Sequence, residues 1–376
     1  MRFAEFNAIM LLTDGFGGFG GISQFNKDFL TALDRSKVVT RTFAFPRLIR
    51  HTIREEIPES VVYFRAAASG KFSYFHQVMR GLNLSSNIDL VICGHIHLLP
   101  LAFLASQTKR ARLALIVHGI EAWHPTRHPI ANRIASRVDT VIAMSRLSAE
   151  RFQEWSDVPT DRIFVLGNSI DLDRFTPLPR DPLLAARYGL EGAKVIMTLG
   201  RLSKSERYKG VDEIIDIIPS LLAEIPNLKY LVVGDGDDCG RLQEKADGLK
   251  LSKNVIFARE IPEAEKIAHY SLADAFVMPS SGEGFGIVLL EAAACGVPVI
   301  GSAIDGSREA LLGGALGMLV DPHNPDALRQ AILETLRTRL SKRRPQGLET
   351  FATPSFQAKL GYWLETQAKP AATLAA

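Results

Sequence analysis

Cysteine is scarce in this chain. The 376 residues hold three, Cys93, Cys239 and Cys295. They are far apart and odd in number, which argues against a disulfide framework and a zinc site and favours a reducing compartment. No apolar run reaches the ~20 residues needed to span a bilayer. The longest, from Ile287 to Ile304, is broken by Glu291 and Pro298. Arg2, Glu5 and Asp14 stand where a secretory signal would need an unbroken apolar stretch. The net charge of +3 is too small to imply a nucleic-acid partner by itself. Neither short internal repeats nor low-complexity blocks are found. A cytoplasmic protein is expected, with peripheral contact with the inner face of a membrane left open.

What is present is ordinary for a globular protein: 47% hydrophobic and 23% charged residues. The length exceeds a usual single core and suggests two domains. Short apolar runs alternate with longer amphipathic stretches, the pattern of βα units on a parallel sheet. The first half suggests strands at Ala8–Thr13, Thr40–Phe45, Leu90–Cys93, Leu113–Val117, Thr140–Met144 and Ile163–Leu166. The second half repeats the scheme from Val195–Leu199 to Gly317–Val320. Between them, Phe175-Thr-Pro-Leu-Pro-Arg-Asp-Pro182 cannot continue a helix or a central strand. The chain is therefore read as an α/β protein with an N-terminal domain over residues 1–175, a C-terminal domain over 185–350, and a helix and tail over 351–376. Two such domains would leave a cleft, and open parallel sheets bind ligands outside the C-terminal ends of their strands.

The most informative stretch is Gly282-Glu-Gly-Phe-Gly-Ile-Val-Leu-Leu-Glu291. A loop of small residues opening a helix can point backbone N–H groups at a phosphate. Glu283 lies in that loop and Glu291 within the helical run. An ionised carboxylate only accepts hydrogen bonds, so acids beside a phosphate seat suit the hydroxyls of a nucleotide sugar. Glu291 interrupts an apolar run, where an unpaired charge would be expensive, and this favours a ligand over a plain amphipathic helix. Upstream, Arg201 and Lys209 share the loop after the Val195–Leu199 strand, where two cations can neutralise a diphosphate.

Other candidates are weaker. Asp235-Gly-Asp237 has the form of a metal-binding pair, but such pairs are frequent in turns. The loop from Asp14 to Gly21 carries five glycines and the bare spacing of a dinucleotide fingerprint. The acidic residue that should close the next strand is replaced by Phe43-Ala-Phe45, which weakens a dehydrogenase reading. His118 ends a buried-type strand, with Glu121 close behind; a structural histidine is the plain alternative. His95 and His97 sit in a similar place, but no carboxylate or cysteine completes a metal-ligand spacing.

Gly200-Arg-Leu, Tyr208-Lys-Gly210, Val233-Gly-Asp-Gly236 and the two glutamates with seven residues between them occur in this order. Together they resemble a retaining glycosyltransferase of family 4, with the GT-B fold of two Rossmann-like, doubly wound parallel sheets. The resemblance extends to Gly20-Gly21-Ile22, His118-Gly-Ile-Glu121, Asn168–Phe175, Asp274, Glu309 and Val320-Asp-Pro322. It implies that Arg201 and Lys209 hold the donor diphosphate, Glu283 grips donor-sugar hydroxyls and Glu291 binds the ribose. It further implies that backbone groups of Phe285, Gly286 and Ile287 meet phosphate and sugar, that His118 lies near the transferred sugar, and that Gly20 and Gly21 face the diphosphate and acceptor. No cofactor and no metal is implied. The donor would be a UDP- or GDP-linked sugar; the acceptor would be a sugar, glycolipid or polysaccharide. Where the family often has two glycines, this chain has Asp305-Gly306, which is expected to put a side chain near donor or acceptor.

The reaction implied is transfer of a hexose to an acceptor hydroxyl with retention of configuration. A nucleotide-sugar epimerase on the same architecture, or a non-catalytic nucleotide-sugar-binding partner, remains an alternative. Basic residues such as Lys109, Arg110 and Arg112 would serve a lipid surface or simply a solvated helix face.

Overall fold

The computed structural model describes residues 6–36, 38–84, 87–338 and 343–368; the tail over 369–376, expected to be disordered, lies outside them. The chain divides into two compact units, one of residues 1–169 with 353–376 and one of residues 170–352.

The first unit is built on β1 (Phe6–Leu12), β2 (Val39–Pro46), β3 (Val61–Tyr63), β4 (Leu90–Cys93), β5 (Arg112–Val117), β6 (Thr140–Ala143) and β7 (Ile163–Val165). Their spatial order is β3-β2-β1-β4-β5-β6-β7, and every neighbouring pair is parallel. The central strands are continuous runs of Ile, Leu, Val, Met and Ala that are buried at almost every position, as helices on both faces require. Ile9, Leu11, Phe43, Phe45, Val91, Leu115 and Val141 form one core with Tyr74, Val78 and Phe152 from the helices.

The second unit repeats the plan with β8 (Lys194–Leu199), β9 (Leu228–Val233), β10 (Val255–Arg259), β11 (Ala275–Met278), β12 (Val299–Ser302) and β13 (Met318–Val320), ordered β10-β9-β8-β11-β12-β13 and all parallel. Helix Val211–Leu222 packs its Ile214, Ile215, Ile218 and Leu221 face onto this sheet. Pro219 lies near that helix's end without stopping it.

Strand order reverses direction between β1 and β4 in the first sheet and between β8 and β11 in the second. The loops leaving the C-terminal ends of these strand pairs are the usual seat of a ligand in such sheets. In the second unit they are the loops that carry Arg201 and Lys209 after β8 and Glu283 after β11.

Several elements depart from expectation. The short edge strand β3 and the helices Lys71–Leu84, Leu99–Lys109 and Pro182–Arg187 were not foreseen. The division between units falls at Ser169, ahead of the proline run, because the segment before the prolines is tied into the second unit. Ile170 N–H donates to the Phe351 carbonyl at 2.8 Å, and Arg344 donates to the carbonyls of Leu172 and Phe175 at 2.7 and 2.9 Å. Helix Thr353–Ala368 belongs to the first unit, where Phe356 meets the ring of Phe25 edge-on. Among the described residues no helix is long and apolar enough to cross a membrane.

Candidate active site

The loop after β8 turns at Gly200, crosses a short turn of 3-10 helix over Lys204–Lys209 and enters helix Val211–Leu222 through Gly210. Gly210 has φ 84°, and a Cβ there would stand 2.4 Å from the Pro279 carbonyl oxygen. Only glycine lets this loop lie directly on the one after β11. The two loops are also joined by Ser281 N–H donating to the Tyr208 carbonyl at 2.8 Å. Close backbone contact thus brings side chains far apart in sequence to one place.

Lys209 Nζ stands 3.8 Å from Glu283 Oε1 and 2.9 Å from Glu206 Oε2, while Arg201 Nη2 stands 2.9 Å from Glu206 Oε1. Lys209, Glu206 and Glu283 are each largely shielded, whereas Arg201 is about half exposed. Burial pushes the Glu283 carboxyl above its ordinary range. Lys209 opposes that shift; Asp305 and Glu206 add to it.

The Glu283 loop is held from beneath. Asp305, almost fully buried, accepts from the Ser280 hydroxyl at 2.6 Å and from the N–H groups of Glu283 and Ser307 at 2.9 Å each. Gly306 N–H donates to the Glu283 carbonyl at 2.9 Å, and a Cβ at Gly306 would sit 2.1 Å from the Gly284 carbonyl oxygen. The Asp305 side chain expected near donor or acceptor instead turns inward and fixes the loop that presents Glu283.

After Glu283 the chain turns at Gly286, φ 86°, and starts helix Ile287–Ala294 with no side-chain cap. The Phe285 ring is buried edge-on against Phe351, so its backbone is the part near the helix start.

Glu291 has other partners. Its Oε1 takes Lys266 Nζ at 2.8 Å and its Oε2 takes the Tyr270 hydroxyl at 2.6 Å; Glu291 and Tyr270 are buried and Lys266 is largely shielded. The charge inside the apolar run is therefore paired, and its burial alone does not argue for a ligand. Lys266 also meets Glu263 at 3.5 Å.

Gly20, Gly21 and His118 lie in the first unit. Gly20 is the N-cap of helix Gly21–Arg35, has φ 92°, and no atom lies within 4 Å of where its Cβ would be. The rest of the glycine loop is braced: Ser23 donates to the Gly15 carbonyl and Asn26 to the Asp14 carbonyl, both at 2.8 Å. His118 is buried. Its Nε2 is 2.9 Å from the Gly94 carbonyl oxygen, so that nitrogen carries the proton and Nδ1 is the acceptor. Its backbone N–H donates to Glu121 at 2.7 Å, and burial holds the imidazole below its ordinary pKa and neutral. His95, also shielded, is pushed down to about 4, chiefly by burial. Among the described residues no group of three or more His, Cys, Asp or Glu is arranged to hold a metal ion.

The structure thus joins Arg201, Lys209 and Glu283, ties Glu291 to a separate buried network, and places Gly20, Gly21 and His118 in the other unit. Glu206, Lys266 and Tyr270 were not foreseen, and Asp305 was expected to face a ligand and not the loop. Glu206, between Arg201 and Lys209 in sequence, was the one a spacing argument could have reached.

Two family models match. Residues 184–347 fit the model described as glycosyl transferases group 1, and residues 19–174 fit that of glycosyltransferase family 4. The chain is 33% identical over 304 residues to a GDP-mannose-dependent alpha-(1-6)-phosphatidylinositol monomannoside mannosyltransferase of Mycolicibacterium smegmatis, covering 77% of this chain and 75% of the relative. It is 27% identical over 331 residues to a GDP-mannose-dependent monoacylated alpha-(1-6)-phosphatidylinositol monomannoside mannosyltransferase of Corynebacterium glutamicum, covering 84% and 85%. Among solved structures it is similar to Anabaena Alr3699/HepE in complex with UDP and glucose. The TM-score there is 0.76 at 21% identity, with 96% of this chain and all of that one covered. At that identity the likeness speaks to the fold, which is GT-B.

Proposed function

The chain belongs to the family 4, group 1 glycosyltransferases, and we propose that it moves a hexose from a nucleoside diphosphate sugar to an acceptor hydroxyl with retention of configuration. GDP-mannose is the first donor to test and an inositol-containing glycolipid the first acceptor, because the two relatives named above, each matched over three quarters or more of its length, carry those names. Synthesis of a glycolipid, glycoconjugate or polysaccharide is the corresponding pathway class. The observation that carries the proposal is the meeting of Arg201, Lys209 and Glu283 where the loops after β8 and β11 pack together.

In this reading the C-terminal unit binds the donor and the N-terminal unit the acceptor side. Arg201 and Lys209 take the diphosphate, and the uncapped start of helix Ile287–Ala294 adds backbone N–H groups from Phe285, Gly286 and Ile287. Negative charge grows on the leaving diphosphate as the glycosidic bond breaks, so these groups bind the transition state more tightly than the ground state. Glu283 accepts from donor-sugar hydroxyls. Glu291 accepts from the ribose with lone pairs left over by Lys266 and Tyr270, a carboxylate having about four acceptor sites. The family resemblance gives His118 and the Gly20–Gly21 turn roles toward the sugar and the acceptor. The proton of the acceptor hydroxyl passes to the departing phosphate on the same face as the attack; no side chain is assigned as a general base. Peripheral membrane contact belongs to the same reading, as the means of reaching a lipid-linked acceptor.

The test is a donor panel of GDP-mannose, UDP-glucose and ADP-glucose with a phosphatidylinositol monomannoside acceptor, the product read by proton NMR. An α-linked product from an α-linked donor is expected. A β-linked product would remove retention. An altered donor sugar without acceptor would favour the epimerase alternative.

A further inference from the structure

The cation pair already holds an anion from its own chain. Glu206 gives one carboxylate oxygen to Arg201 and the other to Lys209, each at 2.9 Å. One carboxylate therefore bridges both cations, as a diphosphate is expected to do. Two acids, Glu206 and Glu283, stand against these two cations, with Asp305 beneath Glu283. An arriving diphosphate would meet a surplus of negative charge unless one acid withdraws.

Of the three, Glu206 is the one built to withdraw. Asp305 is fixed by three hydrogen bonds, and the backbone of Glu283 is clamped on both sides. Glu206 sits on the short turn over Lys204–Lys209, whose backbone leaves helical geometry at that residue. Its Oε2 is shielded from solvent and meets Lys209 as an ion pair without hydrogen-bond geometry, and no other donor satisfies it among the described residues. Leaving costs Glu206 its two ion pairs, which a diphosphate would remake with the same cations.

We propose that Glu206 is an internal competitor for the diphosphate: it occupies Arg201 and Lys209 in the unliganded enzyme and must be displaced for any nucleoside diphosphate to bind. The proposal rests on the reading of Arg201 and Lys209 as the diphosphate seat. Two consequences follow. Donor affinity is set below what the cations could deliver. After transfer, the same carboxylate returns to the cations and helps expel the nucleoside diphosphate product.

The test compares wild type with Glu206→Gln and Glu206→Ala by calorimetric titration with GDP, UDP, inorganic pyrophosphate and guanosine. Both variants are expected to bind the phosphorylated ligands about tenfold more tightly, since a like charge has been taken from the seat. Guanosine, which carries no phosphate, is expected to bind as in wild type. Steady-state kinetics are expected to show a lower donor KM without a matching rise in kcat. Arg201→Ala and Lys209→Ala are titrated alongside. If those two lose pyrophosphate binding while both Glu206 variants bind it no better than wild type, Glu206 merely positions the cations and the proposal falls while the diphosphate seat stands. If Arg201→Ala and Lys209→Ala bind pyrophosphate like wild type, the seat itself is misplaced and both readings fall.

Discussion

The buried carboxylate of Asp305 accepts the backbone N–H of Glu283 at 2.9 Å. That bond couples the loop after β12 to the loop after β11, so a residue with no assigned ligand sets the position of the acid proposed to grip the donor sugar. Asp305→Ala would strand two N–H groups and the Ser280 hydroxyl, each unsatisfied buried group costing about 1–3 kcal/mol. The variant is expected to melt several degrees lower and to lose kcat/KM for the donor by more than its folded fraction accounts for. Thermal unfolding and donor kinetics on one preparation check this; unchanged kcat/KM would show that the loop holds Glu283 without Asp305.

Lys266 and Glu291 form a shielded ion pair in the second unit. Removing one member leaves the other buried and uncompensated, which costs about 3–5 kcal/mol. Lys266→Met is expected to fall in that range by urea denaturation, and Lys266→Met with Glu291→Leu to recover part of the loss. Without that recovery the two side chains would be acting independently. The attraction of Glu291 holds the Lys266 ammonium above its ordinary pKa, against desolvation. The share of stability linked to the Lys266 proton is therefore present below its unfolded pKa of about 10.4 and is lost as pH rises through the higher folded-state value.

Asp238 gives the opposite sign. Its carboxylate is bound by Arg241 and Arg207 at 2.6–3.1 Å, and these guanidiniums hold it down to about 2. A depressed acid stabilises the fold above its unfolded pKa near 3.9 and loses that contribution as pH falls toward about 2. Wild type should therefore be more stable than Asp238→Asn at pH 6, with the gap closing between pH 4 and 2. Denaturation midpoints across that range measure it; a gap constant with pH would mean the carboxylate's charge is not what the arginines stabilise.

Most of the sheet framework was legible because parallel strands covered on both faces are continuous apolar runs, as at Leu90–Cys93, whose bounds coincide with those expected. Strand β3 escaped because three residues at a sheet edge, with Val62 exposed, carry no period to read. Helix Lys71–Leu84 escaped because Phe72 and Phe75 point to solvent and blur its apolar stripe. At the site, Arg201, Lys209, Glu283 and the Gly286 turn were legible as loop chemistry after strands. Asp305 was misjudged because a side chain's direction depends on what lies beneath it, here Ser280 and the Glu283 N–H. Glu291 was singled out for a reason that the structure removes: Lys266, whose contact with it no spacing rule could supply, neutralises the charge that had seemed unpaired.

The central claim is that Arg201 and Lys209 stabilise a departing diphosphate. The most direct measurement is kcat/KM for sugar transfer by folded wild type, Arg201→Ala and Lys209→Ala, with GDP-mannose or whichever donor of the panel is turned over. Each variant is expected to keep the wild-type melting temperature within a few degrees and to lose about 10²–10³-fold in turnover. Transfer at the wild-type rate by either folded variant would contradict the account.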